Sequence, residues 1–165
     1  MVVDQNIEQI WELLETVNDP EVPVLSIIDL GIVRDVFYSD DHILNVIMTP
    51  TYSGCPAMDA IAMNIRLVLI EAGVKKVNIE YQLSPAWTTS WMSEAGKLKL
   101  KAYGIAPPLE HHQHEVLFGD IDAIECPQCH SKHTEIVSYF GSTSCKALCK
   151  CLDCKEPFDY FKCHR

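Results

Sequence analysis

The sequence predicts an α+β domain, in the order helix, strand, strand, helix, strand, helix, followed by a small all-β module. Three observations carry this. Apolar residues recur at helical spacing in separate stretches of the first hundred residues, and β-branched, alternating runs lie between them. After residue 120 the composition shifts, and seven of the eight cysteines fall in the last forty residues.

The first helix rests on Ile7, Ile10, Trp11, Leu14 and Val17, and Asn18-Asp19-Pro20 stops it, because proline disfavours helical backbone in the residue before it. DPEVPVLSIIDLG, with two prolines and a terminal Gly31, reads as a loop. Residues 32–38 (IVRDVFY) and 43–48 (ILNVIM) read as strands joined by the turn-like SDDH, a hairpin. Residues 56–72 are apolar on nearly every side, the mark of a buried helix, and Gly73 ends it. Val77, Ile79, Tyr81 and Leu83 alternate with Asn78, Glu80 and Gln82, giving a strand with one wet face. A last helix is expected from Ser90 to Tyr103, closed by Gly104. The domain division expected is 1–105 for the small mixed sheet packed with helices, 106–119 for a linker (APPLEHHQHEVLFG), and 120–165 for the β module.

The chain has 165 residues and 48% hydrophobic content, enough for a core. No run of about eighteen apolar residues occurs, so no membrane span is expected. The start carries acids where a secretory leader carries bases, so a cytoplasmic protein is expected. In a reducing compartment clustered cysteines are metal ligands or reactive thiols before they are disulfides. A net charge of -10 argues against binding nucleic acid, since that affinity rests on clustered Lys and Arg. The six basic residues of 120–165, Lys132 among them, are dispersed and balanced by seven acids.

Cys126-Pro-Gln-Cys129 and Cys151-Leu-Asp-Cys154 are two CxxC steps with twenty-one residues between them. Each step turns two thiolates inward, and two steps complete a tetrahedron around zinc. The segments TEIVSYF and STSCKALCK around a GS turn suggest a hairpin, with PFDYFK as aromatic cover. About forty-five residues cannot bury enough apolar surface to fold alone, and a metal supplies the missing stability. The module therefore resembles a zinc ribbon. Its zinc is expected to be structural, because four thiolates leave no open coordination position. Cys145, Cys149 and Cys163 remain over. Cys145 and Cys163, with His130, His133 and His164 nearby in sequence, are candidate ligands of a second metal; the alternative is that Cys145 and Cys149 are small buried hydrophobes. The run His111-His112-Gln113-His114 reads as a solvated turn.

One cysteine stands apart, in TPTYSGCPAM. With Pro56 as the first helical residue, Cys55 falls at the N-cap of the buried helix, and Gly54 lets the backbone bend. The helix end favours negative charge, so an exposed thiol of lowered pKa is expected. Such a thiolate is a nucleophile and a metal ligand; the alternative is an inert buried cysteine. Its loop neighbours are expected from Glu21, Asp29, Thr49, Ser53, Trp87 and Thr88. Catalysis would need a base, and His42, the upstream candidate, falls in the hairpin turn.

DPEVPVLSIIDLGIV followed by TPTYSGCPAM resembles the small domain family of SufT-type iron–sulfur carrier and assembly factors, over roughly residues 7–103. With PAWTTSWMSEAGKLKLKAYGIAPP and CPQC…FGSTSCKALCKCLDCKEPFDYFKC, the resemblance extends to an accessory-subunit family of bacterial phenylacetyl-CoA epoxidase systems. It implies maturation of metal centres, not substrate turnover, and it implies roles for Glu21, Asp29, Gly31 and Cys55. The cargo implied is a transient iron–sulfur cluster or iron. The partners implied are the reductase or the diiron oxygenase of the epoxidase. One thiolate cannot hold a cluster alone; a cluster shared by two Cys55 copies would need a homodimer and extra ligands such as Cys145, Cys163 or a small thiol.

Two other readings stay open. The chain could be a zinc-stabilised adaptor that holds the epoxidase components together, or a cysteine-dependent thioesterase. In the carrier reading the ribbon docks the client.

Overall fold

The computed structural model describes residues 6–109 and 124–162, and the chain divides into two compact units. The first comprises Met1–Trp87 with Trp91–Ser93, the second Thr88–Ser90 with Glu94–Arg165. The expected α+β fold with C-terminal strands is formed.

In the first unit, helix α1 spans Ile7–Glu15 and starts at Asn6, whose side chain accepts the Glu8 N–H at 3.2 Å. It buries Ile10 and Leu14. The loop that follows has a core side of its own in Val22, Leu25, Ile27 and Leu30. It folds back on itself through the Asn18–Ser26 bridge. Strand β1 (Val33–Tyr38) pairs antiparallel with β2 (Leu44–Met48) across the expected turn, where His42 adopts φ +57°. Helix α2 (Ala57–Glu71) then carries the chain over to β3 (Val77–Tyr81), which lies parallel to β2. The sheet order is β1-β2-β3, with Leu44, Val46 and Met48 on the face that builds the core. A helical crossover is what a parallel neighbour requires.

The segment after β3 returns to the loop before β1. Trp87 is buried and its Nε1–H donates to Leu30 O at 2.8 Å. Gly31 has φ +67°, and a Cβ there would stand 2.2 Å from Trp91 O, so only glycine fits. Arg34 lies over the Trp91 ring, 3.6 Å from its centroid.

The expected helix from Ser90 begins later. A 3₁₀ turn occupies Thr89–Trp91, and α3 runs over Glu94–Tyr103, grouping with the second unit. Strand β4 (Ile105–Ala106), where a linker was expected to begin, joins a sheet of order β4-β7-β6-β5. There β5 (Thr134–Ser138), β6 (Lys146–Cys151) and β7 (Pro157–Phe161) are antiparallel neighbours, and β4 is parallel to β7. A strand of two residues is too short to leave a periodic signal in the sequence. Ala106, Ile124, Cys126, Ala147, Cys149, Cys151, Phe158 and Tyr160 form the core of this unit. The rest of the expected linker, from residue 110 on and including His111–His114, lies outside the described residues.

Candidate functional site

Two sites emerge from the sequence candidates, one in each unit. In the first, Cys55 is half-buried just ahead of α2. The helix N-cap is Pro56, one residue later than expected, and it makes no side-chain cap bond. The expected lowering of the thiol pKa does not occur. Burial pushes the Cys55 thiol up, and it outweighs the Ala57 backbone and the Tyr52 side chain, which hydrogen-bond the sulfur. The negative charges of Glu21 and Asp19 add to the rise. A helix end lowers a thiol pKa only where the sulfur keeps its water and no acids crowd it.

Glu21, one of the neighbours expected for Cys55, thus acts on it through its charge. Asp19 is the member that sequence reasoning missed. Its Oδ1 accepts the N–H groups of Glu21 at 2.6 Å and Val22 at 3.0 Å, an Asx turn that shapes the DPE loop. The Asp-Pro dipeptide was the available signal. Tyr52 was also missed; its carbonyl takes the Cys55 N–H at 3.3 Å.

Asp29 has a different task. It is buried, its Oδ2 accepts Ser26 N–H at 3.2 Å, and its Oδ1 accepts Ser93 Oγ–H at 2.8 Å. Through these bonds it braces the DLG loop. Trp87 packs in the core of the first unit, while Thr88 bonds Ser90. Thr49, at the end of β2, is 2% exposed, and its Oγ1 has no hydrogen-bond partner among the described residues. His42 precedes β2 and Cys55 follows it, so the candidate base sits at the other end of that strand.

In the second unit the four CxxC sulfurs converge. The ligand atoms of Cys126, Cys129, Cys151 and Cys154 lie within 4.8 Å of one another. The Cys126–Cys154 and Cys129–Cys151 sulfurs are 3.7 and 3.5 Å apart. Zinc–sulfur bonds of about 2.3 Å in a tetrahedron put neighbouring sulfurs about 3.8 Å apart, so the donor set fits zinc. Its electrostatics agree: the Cys151 thiol is brought down to about 6, while Cys154 is pushed up to about 12. At Cys151 burial resists ionisation, and the N–H groups of Cys154 and Asp153 overcome it. At Cys154 the Glu156 N–H favours ionisation, but burial and the neighbouring sulfurs prevail. Four crowded thiols cannot all ionise without a cation among them.

The two knuckles share one local geometry. The residue after each second cysteine is left-handed, His130 at φ +61° and Lys155 at φ +69°. Asp153 ties the knuckles together by accepting Ser131 Oγ–H and pairing with His133 Nδ1 at 3.1 Å.

Cys145 is buried, 3.0 Å from Thr143 Oγ1, and Cys149 lies in the core with its thiol pushed up to about 12 by burial and the nearby Asp159. Among the described residues no second group of three metal-ligand atoms forms around Cys145. Cys163 and His164 lie outside those residues. No described helix is long and apolar enough to cross a membrane.

Comparison with known proteins finds a family match in each unit. Residues 7–80 match the family described as iron-sulfur cluster assembly protein, and residues 110–162 match the PaaD zinc beta ribbon domain. A protein of Escherichia coli K12, provisionally named as a component of 1,2-phenylacetyl-CoA epoxidase, is 45% identical over 98% of this chain and 96% of its own. An Fe-S protein maturation auxiliary factor of Porphyromonas gingivalis W83 is 39% identical over 58% of this chain and 91% of its own. The crystal structure of a DUF59 domain from Bacillus anthracis is 29% identical, with a TM-score of 0.52. The match covers 56% of this chain and 89% of that domain.

Proposed function

Because the chain belongs to the PaaD family of 1,2-phenylacetyl-CoA epoxidase components, an iron–sulfur assembly domain joined to a zinc β-ribbon, we propose that it is a non-catalytic maturation factor of that epoxidase. It carries iron or an iron–sulfur cluster to the reductase or the diiron oxygenase component. Cys55 is the carrier thiol, Glu21 and Asp19 draw the cation in, and the zinc of the ribbon is structural.

The observation that supports this most is a half-buried thiol just ahead of α2 that feels the negative charges of Glu21 and Asp19. Among the described residues the one set of three or more ligand atoms close together is the ribbon's, so Cys55, Glu21 and Asp19 are not a closed cage. An open, incomplete set suits cargo that must leave. The raised thiol pKa suits it as well: sulfur keeps its proton until a cation arrives, then releases it to solvent as the metal–sulfur bond forms. The missing ligands come from the client or from a second copy, since iron–sulfur clusters take about four cysteines.

Anaerobic reconstitution with iron and sulfide tests the reading. Charge-transfer absorption and bound iron should appear in the wild type and vanish in Cys55→Ser, with zinc retained in both. The same variant should fail to yield active epoxidase in cells. Full epoxidase activity with Cys55→Ser overturns the proposal, and a zinc-only adaptor would then remain.

A further inference from the structure

The first unit is strongly acidic, with thirteen Asp and Glu against four Lys and Arg in residues 1–87 and 91–93. Arg34 covers Trp91. The other three bases, Arg66, Lys75 and Lys76, all line one open cleft of about 560 Å³, beside Ile70, Asn45 and Asn78. None of the three has an ion-pair partner among the described residues. Glu80, the acid of β3, accepts Asn78 Nδ2–H at 2.8 Å.

Helix α2 adds an apolar row that leads into this cleft. Its inner face buries Met58, Ile61, Ala62, Ile65 and Leu69. Its outer face leaves Met63, Leu67 and Ile70 exposed at 64, 52 and 59%. With the exposed Ala60, these residues follow the 3-4-3 spacing of a seam that receives a partner helix. The seam ends at Ile70, on the wall of the cationic cleft. This explains why α2 is apolar all round without being buried all round.

We propose that this outer face of α2 docks an amphipathic helix of the client protein, its apolar side on Met63, Leu67 and Ile70 and its acidic residues in the cleft of Arg66, Lys75 and Lys76. The inference rests on the maturation reading and names its docking surface. In a unit whose acids outnumber its bases so heavily, an acidic partner is repelled almost everywhere else, so the cleft fixes where and in which register it lands. The 15 residues of α2 span about 22 Å, with Cys55 at one end and the cleft at the other. A partner covering about 800 Å², roughly 28 Å across, reaches both. A second copy docking by the same face fits less well, because that face is apolar and cationic on both copies.

The test uses full-length protein and the purified reductase and oxygenase components, with binding followed by biolayer interferometry. The variant Leu67→Asp/Lys75→Glu/Lys76→Glu alters exposed side chains only, and circular dichroism checks its fold. The expected result is binding of one component by the wild type, weakened tenfold or more in the variant (about 1.4 kcal/mol or more) and weakened by salt in the wild type. Undiminished binding by the variant overturns the docking surface and leaves the maturation reading standing. Binding of neither component overturns both. Self-association of the wild type that the variant abolishes, with client binding intact, assigns the face to a second copy and overturns the inference.

Discussion

Asp29 and Ser93 are joined twice: Ser93 Oγ–H donates to Asp29 Oδ1 at 2.8 Å, and Ser93 N–H donates to Asp29 O at 2.9 Å. The carboxylate also accepts Ser26 N–H, so it stitches the loop before β1 to a segment 64 residues away. A buried carboxylate so engaged stabilises the loop by more than a neutral bond would. Asp29→Ala is expected to lower unfolding free energy by about 1.5–3 kcal/mol, read from urea denaturation. Iron loading on the variant that remains folded should be unchanged. Loss of loading with unchanged stability would instead make Asp29 a ligand.

Gly31 and Gly54 both have positive φ, but only Gly31 faces an obstacle. Gly31→Ala combines left-handed strain with a collision against the Trp91 carbonyl, and should cost about 2–5 kcal/mol. Gly54→Ala meets nothing within 4 Å and should cost about 1–2 kcal/mol from strain alone. Equal losses in thermal melts of the two variants would contradict this reading.

The parts of the fold that were legible in sequence are those with a strong local period. The β1–β2 hairpin and α2 each bury one face or are apolar throughout, β3 alternates in sequence although none of its residues is fully buried, and the CxxC pairs bring their own geometry. The expected start of α3 fell too early because Thr88 and Ser90 bond locally and divert the chain into a 3₁₀ turn before Glu94. At Cys55 the position was readable and the electrostatics were not. The helix end is a local feature, whereas burial depends on the tertiary fold and the acids that add to the rise come from the loop around Asp19, more than thirty residues earlier. Asp29 was readable as a special residue, but its bonds to Ser26 and Ser93 were not.

Thr49 offers a direct separation of stability from function. Its hydroxyl is buried with no partner among the described residues, which costs desolvation with no return in stability. Thr49→Val keeps the shape and removes the polar atom, so stability should rise by about 1 kcal/mol, measured by chemical denaturation. A simultaneous drop in iron loading would show that the hydroxyl serves the Cys55 loop.

The Cys55 thiol should react slowly with iodoacetamide at pH 7, because burial and the Glu21 and Asp19 charges favour its protonated form. Glu21→Gln and Asp19→Asn should each speed alkylation at fixed pH by removing a repulsive charge. The sign for stability follows from the raised pKa. Folded and unfolded chains both hold the proton below the ordinary thiol value of 9.0, so this contribution is fully present there. As pH rises past that value the unfolded chain ionises first, and stability falls. Cys55→Ser should flatten that alkaline decline in pH-dependent melts.

Metal removal should act on the second unit alone. It holds four clustered sulfurs that cannot all ionise unaided, and its core is a handful of side chains around Ala147, Cys149 and Tyr160. Chelation, or Cys126→Ser, should therefore unfold the ribbon, seen as loss of its strand signal in circular dichroism, while the first unit keeps its own cooperative melt. One zinc per chain should be released and counted by a colorimetric chelator. Cys145→Ala and Cys149→Ala should each keep that zinc, since neither sulfur joins the cluster. The knuckle backbone gives a second readout. Lys155 sits at φ +69°, where a side chain is strained, so Lys155→Gly should hold zinc at least as tightly as the wild type and Lys155→Val should hold it more weakly. If Lys155→Val bound zinc as well as Lys155→Gly, the left-handed turn could not be what aims Cys151 and Cys154 at the metal.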